Sequence, residues 1–120
     1  MTTEFAQLGL IWQLEQTISE LGYMTPTPIQ SEIIPLMLDG NDVIGQAQTG
    51  TGKTAAFMLP ILQTLKRDCS GIQALILTPT RELAIQVAKA TYEYGKRLNV
   101  RVLAVYGGQR YDLQINSLKQ

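Results

Sequence analysis

Apolar residues recur along the chain at two different periods, and the change of period predicts its elements. Ile11, Leu14, Ile18 and Leu21 fall three and four residues apart and stop at Gly22, which predicts an amphipathic helix over 10–21. A second helix is predicted from a Thr27 cap to about Leu38, with Ile29, Ile33 and Met37 on one face and Asp39-Gly40 ending it. Pro35 falls inside that pattern, where a proline removes a backbone donor and bends the helix. DVIGQA reads as a short strand, followed by a glycine-rich turn and a helix over about 53–65. ALILT, residues 74–78, is wholly apolar, as strands buried on both faces of a parallel sheet are. Leu83, Val87, Ala90 and Tyr94 form one helical stripe, and VRVLAVY, residues 100–106, supplies a third strand before Gly107-Gly108. RYDLQINSLKQ reads as a surface helix with Leu113 packed inward.

Strand, helix, strand, helix, strand is the order of an α/β fold built on a doubly wound parallel sheet. In such sheets ligands sit at the carboxyl ends of the strands, which places AQTGTGKT, TPTREL and YGGQ on one rim.

Composition narrows the chemistry. The 120 residues are 45% hydrophobic and 17% charged, enough to bury a core in at most one ordinary domain. Histidine is absent and Cys69 is the one cysteine, which excludes disulfide frameworks, Cys/His metal clusters and histidine acid–base catalysis. Cys69 is expected in a loop. No basic segment precedes an apolar run at the start and no window is long enough to span a membrane, so a cytoplasmic protein without a membrane partner is expected. The zero net charge divides unevenly. Residues 1–60 hold one base against six acids, and residues 61–120 nine bases against four acids, an asymmetry that points to a polyanion partner for the second half. Lys66, Arg67, Lys89, Lys96 and Arg97 are read instead as solvated helix faces.

AQTGTGKT, residues 47–54, follows a predicted strand and opens a predicted helix, the setting of a phosphate-binding loop. Gly50 and Gly52 let successive N–H groups face a pyrophosphate at the positive end of the helix. Lys53 supplies a charge for the β and γ oxygens, and the Thr54 hydroxyl a ligand for Mg²⁺. Ala47 stands where the general pattern has glycine. A plain turn has no use for lysine and threonine after its second glycine. In TPTPIQ, Thr27 and Gln30 make a Thr-x-x-Gln capping box with Pro28 at the first helical position. The same glutamine amide matches the N6/N7 edge of adenine, and these residues alone leave both readings open.

GYMTPTPIQ, AQTGTGKT, PTREL and YGGQ, in this order and spacing, resemble the motifs of the DEAD-box RNA helicases across essentially the whole chain. The resemblance implies the first part of a RecA-like P-loop domain that binds ATP and Mg²⁺, divided into a helical Q-motif region over 1–38 and the ATP-binding segment over 39–120. It implies an adenine pocket in which Gln30 reads the base, Tyr23 stacks on or beside it, Thr25 contacts it through the backbone and Phe5 completes the wall. Ala47, Gln48, Thr49, Gly50, Thr51, Gly52, Lys53 and Thr54 then form the phosphate loop, for which an initial alanine is the family's usual form, with Lys53 and Thr54 in catalytic roles. Pro79, Thr80, Arg81, Glu82, Gly107 and Gly108 are assigned to the RNA backbone. Helix-start threonine, arginine and paired glycines suit phosphate contact, although Pro79 also suits a helix start and the glycines a tight turn.

Neither strand after the loop ends in an acid, so the family's DEAD and SAT stretches and its second domain with an arginine finger are not in these residues. The expected activity is therefore ATP-dependent RNA helicase for a longer parent. For these residues alone the alternative is an ATP- and RNA-binding module without turnover. Another P-loop enzyme, such as a DNA helicase, fits less well, because GYMTPTPIQ with PTRELAIQ is more specific than the loop.

Overall fold

The structure is a computed structural model that describes residues 4–48, 50, 52–108 and 110–119. A short 3-10 turn over Phe5–Leu8 is followed by five helices: α1 (Trp12–Glu20), α2 (Pro28–Leu38), α3 (Lys53–Thr64), α4 (Arg81–Tyr94) and α5 (Tyr111–Lys119). Local contacts set the end of α1 and the start of α2. Tyr23 N–H bonds Ile18 C=O and Gly22 N–H bonds Ser19 C=O, closing α1 in a Schellman turn around a left-handed Gly22. The Thr27 hydroxyl accepts from Gln30 N–H while the Gln30 side chain accepts from Thr27 N–H, so the capping box of α2 is complete. Pro35 is accommodated inside α2.

Leu14 and Ile18 of α1, Ile34 of α2 and Met58 and Leu59 of α3 are almost wholly enclosed and form the centre of the core. Val87 and Tyr94 close it from α4, and Phe5 and Leu8 from the amino-terminal turn. Burying each such aliphatic side chain contributes about 1.5–3 kcal/mol. Gln63 fastens the leading segment to the end of α3 by donating to Gly9 C=O and accepting from Ile11 N–H, each at 2.9 Å. A second fastening joins α1 to the turn after α4. Lys96 and Arg97 pair with Glu20, and Arg97 also donates to the Thr17 hydroxyl at 2.6 Å. The Arg97 and then the Lys96 hydrogen bonds lower the Glu20 pKa to about 2.

The structure departs from the expected pattern at several places. Leu21 is 39% exposed, because the chain has already turned at Gly22, and Thr17, fully buried, takes a place in the α1 interface by donating to Gln13 C=O. Lys96 and Arg97 do not merely solvate a helix face, since Glu20 draws both across to α1. In α5 Leu113 is 48% exposed and Gln114 points inward, its amide oxygen accepting from Tyr106 N–H at 3.0 Å.

The expected doubly wound parallel sheet is not delineated within these residues. Among the described residues no strand is formed; the stretches 42–47, 74–78 and 100–106 carry no ladder. Ile44, Leu75 and Leu77 are 96%, 79% and 86% exposed. A strand in a parallel sheet is enclosed only when neighbours pair with both of its edges and helices cover both faces, and these three stretches do not supply that for one another.

Candidate nucleotide and nucleic-acid sites

Two turns of quite different origin meet beside the amino end of α3. Gly52 is the N-cap of α3 and adopts φ +82°, a left-handed conformation suited to glycine. It offers no side-chain cap to the first N–H groups of α3, which form the positive end of the helix, where an anion is favoured. Gly50, at φ +85°, is likewise left-handed. Lys53 is exposed and Thr54 half-buried in the first helical turn.

Gln30 comes against this turn from α2. Its Nε2 donates to Gly52 C=O at 3.2 Å, while its Oε1 accepts from Thr27 N–H at 2.9 Å. The contact is close enough that a Cβ on Gly52 would lie 2.2 Å from Gln30 Nε2. Gln30 is thus a helix cap and a bracket on the glycine turn together. Its amide still has one hydrogen and one lone pair to offer a ligand, so capping does not exclude recognition.

A cavity of about 380 Å³ opens at this junction, lined by Phe5, Tyr23, Thr25, Gln30, Gly50 and Gly52 among others. Residues expected to hold a base and glycines expected to hold phosphates are therefore brought to one wall. Phe5 is buried beneath it, and Tyr23 is partly exposed beside it. Met24 and Thr27 also line the cavity and were not expected there. Their signal was positional, since both flank the recognised residues. Ala47 and Gln48 lie in the turn but do not line the cavity, and Thr49 and Thr51 lie outside the described residues. Lys53 instead borders a second, largely apolar cavity of about 330 Å³ between α2 and α3, with Ile33, Val43 and Phe57.

The Tyr23 ring is held from behind. Its hydroxyl shares a 3.0 Å hydrogen bond with that of Tyr94, at the last turn of α4, and the ring centroids are 6.1 Å apart with planes inclined at 57°. Burial, and then the bond to Tyr23, push the Tyr94 phenol well above its ordinary pKa.

At the other end of α4, the residues of PTREL and YGG come together on an exposed surface. Thr80 is the N-cap, its hydroxyl accepting from Leu83 N–H at 3.1 Å. Arg81 Nη1 lies 3.5 Å from Gly107 C=O, and a Cβ on Gly108, at φ +88°, would lie 2.8 Å from the same nitrogen. Pro79 is exposed beside them. Glu82 pairs loosely with Arg81 at 3.8 Å, with most of its side chain in solvent. The guanidinium thus rests on the glycine turn, with more than half of its side-chain surface open.

Among the described residues no group of three or more acidic, histidine or cysteine side chains is placed to hold a metal ion. The Thr54 hydroxyl, half-buried in the first turn of α3, is the group there that would hold a Mg²⁺ ion together with a nucleotide's phosphates. No described helix is long and apolar enough to cross a membrane.

Comparison with known proteins accounts for this arrangement. The family model of the DEAD/DEAH box helicase matches residues 27–120. The chain is 53% identical to the ATP-dependent RNA helicase DeaD of Escherichia coli K12 over 98% of its own length and 19% of that protein. It is 54% identical to the ATP-dependent RNA helicase CshA of Limosilactobacillus reuteri, over 98% of the chain and 24% of the relative. The chain thus spans about a fifth of the length of such relatives. Among solved structures, a DEAD box protein from Methanococcus jannaschii superimposes with a TM-score of 0.91 at 40% identity, over 96% of this chain and 32% of that one. The RNA helicase Prp28 from Chaetomium thermophilum, bound to ADP, gives 0.87 at 37% identity, over 98% and 30%. The architecture is the RecA-like P-loop fold of these helicases, and the chain belongs to the DEAD/DEAH box helicase family.

Proposed function

We propose that these residues are the adenine- and phosphate-binding part of an ATP-dependent RNA helicase, whose longer protein couples ATP hydrolysis to RNA binding and local duplex unwinding. The observation that carries the reading is the junction of Gln30 with Gly52: the glutamine amide and the glycines 50 and 52 line one cavity, which supports a base and its phosphates being held side by side. In this reading Gln30 serves the N6/N7 edge of adenine, Tyr23 and Phe5 bound the ring, and Thr25 contacts it through its backbone. Ala47 to Thr54 form the P-loop, with Lys53 on the β and γ oxygens and Thr54 on Mg²⁺. When bound, Mg²⁺ neutralises phosphate charge.

The Q-motif region over 1–38 and the ATP-binding segment over 39–120 then act as one site. Residues 42–47, 74–78 and 100–106 take their places in a doubly wound parallel sheet together with strands from the remainder of the domain. Their exposed apolar side chains favour this. Pro79, Thr80, Arg81, Glu82, Gly107 and Gly108 form a backbone-contacting RNA surface indifferent to sequence. Arg81 resting on Gly107 supports it, because arginine and open glycine backbone together suit a phosphate. A cytoplasmic, membrane-independent protein is in keeping with this function.

Of the 120 residues, the described ones bring no carboxylate cluster to Thr54, and the reading assigns the arginine finger to a further domain. That group alone is worth about 10³–10⁵ in rate. The 120 residues should therefore bind ATP without turning it over, and the longer protein should release phosphate faster when RNA is added. Phosphate release from both, each beside a Lys53→Ala control, tests the proposal. Turnover by the 120 residues above that control would contradict it, as would a longer protein whose hydrolysis ignored RNA.

A further inference from the structure

Tyr23 borders the cavity with its ring partly in solvent, a position in which an aromatic side chain ordinarily samples more than one rotamer. Its backbone is already pinned. Tyr23 N–H closes the Schellman turn on Ile18 C=O, immediately after the left-handed Gly22. Its side chain is pinned by a residue 71 positions away, since Tyr94, only 5% exposed, meets the Tyr23 hydroxyl with its own. The end of α1 is tied to the same region a second time, through Glu20 with Lys96 and Arg97 and through Thr17 with Arg97. Neither Tyr94 nor Arg97 reaches the cavity wall.

We propose that Tyr94 is a positioning residue for nucleotide binding: its hydroxyl holds the Tyr23 ring at the cavity wall, so that the base meets a surface already in place. The inference rests on the adenine-pocket reading and adds to it a residue that touches no nucleotide. A ring held before binding spares the ligand the ordering of that side chain. A neutral hydrogen bond of this kind corresponds to roughly a three- to tenfold change in affinity. The effect is expected for the base alone, because Tyr94 lines neither cavity and its hydrogen-bonding partner is Tyr23, on the base side of the site.

The test measures equilibrium binding of ATP and of inorganic tripolyphosphate, which carries the phosphates without a base, to the full chain and its variants. Tyr94→Phe keeps the buried ring and removes one oxygen; it should weaken ATP roughly three- to tenfold and leave tripolyphosphate unchanged. Tyr23→Phe removes the other end of the same bond and should match it, and the double variant should be no worse than either single one. Equal losses for ATP and tripolyphosphate in Tyr94→Phe would overturn the proposal, since they would report general loosening of the fold. If Tyr94→Phe left ATP unchanged while Tyr23→Ala weakened ATP selectively, the pocket reading would stand and the positioning role would fall. If Tyr23→Ala also left ATP unchanged, the pocket reading itself would fail and take this inference with it.

Discussion

Replacing Gly52 by alanine should damage the protein in two separable ways. The residue adopts φ +82°, and an L-residue held in the left-handed region costs about 1–2 kcal/mol. In addition, the new Cβ would stand 2.2 Å from Gln30 Nε2 and 3.2 Å from its Cδ. The amide must retreat by about 1 Å to reach ordinary contact, which breaks its 3.2 Å bond to Gly52 C=O and removes roughly 0.5–1.5 kcal/mol more. Gly50→Ala is the internal reference. Gly50 has φ +85° but nothing within 4 Å of its would-be Cβ, so it should cost the backbone contribution alone. Chemical denaturation of both variants should therefore place Gly52→Ala lower by about 0.5–1.5 kcal/mol. In a Gln30→Ala background, where the amide is gone, that difference should vanish. ATP binding should suffer more in Gly52→Ala than in Gly50→Ala, because only the former displaces Gln30. If the two glycine variants were equally stable, or if their difference survived Gln30→Ala, the bracket between α2 and the glycine turn would not contribute as described.

Two further outcomes follow from the other named contacts. Arg81→Ala should weaken binding of single-stranded RNAs of unrelated sequence alike and flatten the dependence of affinity on salt, measured by fluorescence anisotropy at several salt concentrations; a loss confined to one sequence would contradict backbone contact. The pKa of Glu20 is lowered in the folded protein by Arg97 and Lys96, so its contribution is fully present above its ordinary value of 4.5 and is lost as pH falls through about 2. The melting temperature of the unaltered protein should exceed that of Glu20→Gln at neutral pH, and the gap should close across that acid window; a gap that did not change with pH would remove the ion pairs from the account.

Features governed by neighbouring residues were legible in the sequence. Gly22 stops α1, Thr27 and Gln30 cap α2, and Thr80 caps α4, each through contacts spanning five residues or fewer. The candidate site was suggested by Lys53 and Thr54, which a plain turn does not need after its second glycine, whereas Gln30 by itself left capping and recognition both open. What the sequence did not disclose is what distant segments do to one another. Thr17 and Gln114 are polar and yet buried, because Arg97 and the Tyr106 amide come to meet them. Ile34 is fully enclosed although it is off the face on which Ile29 and Met37 were expected to pack. The Tyr23–Tyr94 bond spans 71 residues and leaves no periodic trace. The strand pattern of ALILT and VRVLAVY describes side chains that are apolar, but the ladder depends on partners that the pattern does not contain.

The central claim is that the junction of α2 with the glycine turn recognises both ends of an adenine nucleotide, the base through Gln30 in the cavity that Gly50 and Gly52 also line, and the phosphates through that turn and Lys53 at the start of α3. Calorimetric titration of ATP, GTP and tripolyphosphate into the unaltered protein, Gln30→Ala and Lys53→Ala tests it most directly. The unaltered protein should prefer ATP to GTP by about 1–3 kcal/mol, the worth of a bidentate amide contact, and Gln30→Ala should bring the two together while leaving tripolyphosphate nearly as it was. Lys53→Ala should weaken all three ligands. Equal affinity for ATP and GTP in the unaltered protein would reduce Gln30 to a helix cap, and unchanged tripolyphosphate binding in Lys53→Ala would contradict the phosphate loop.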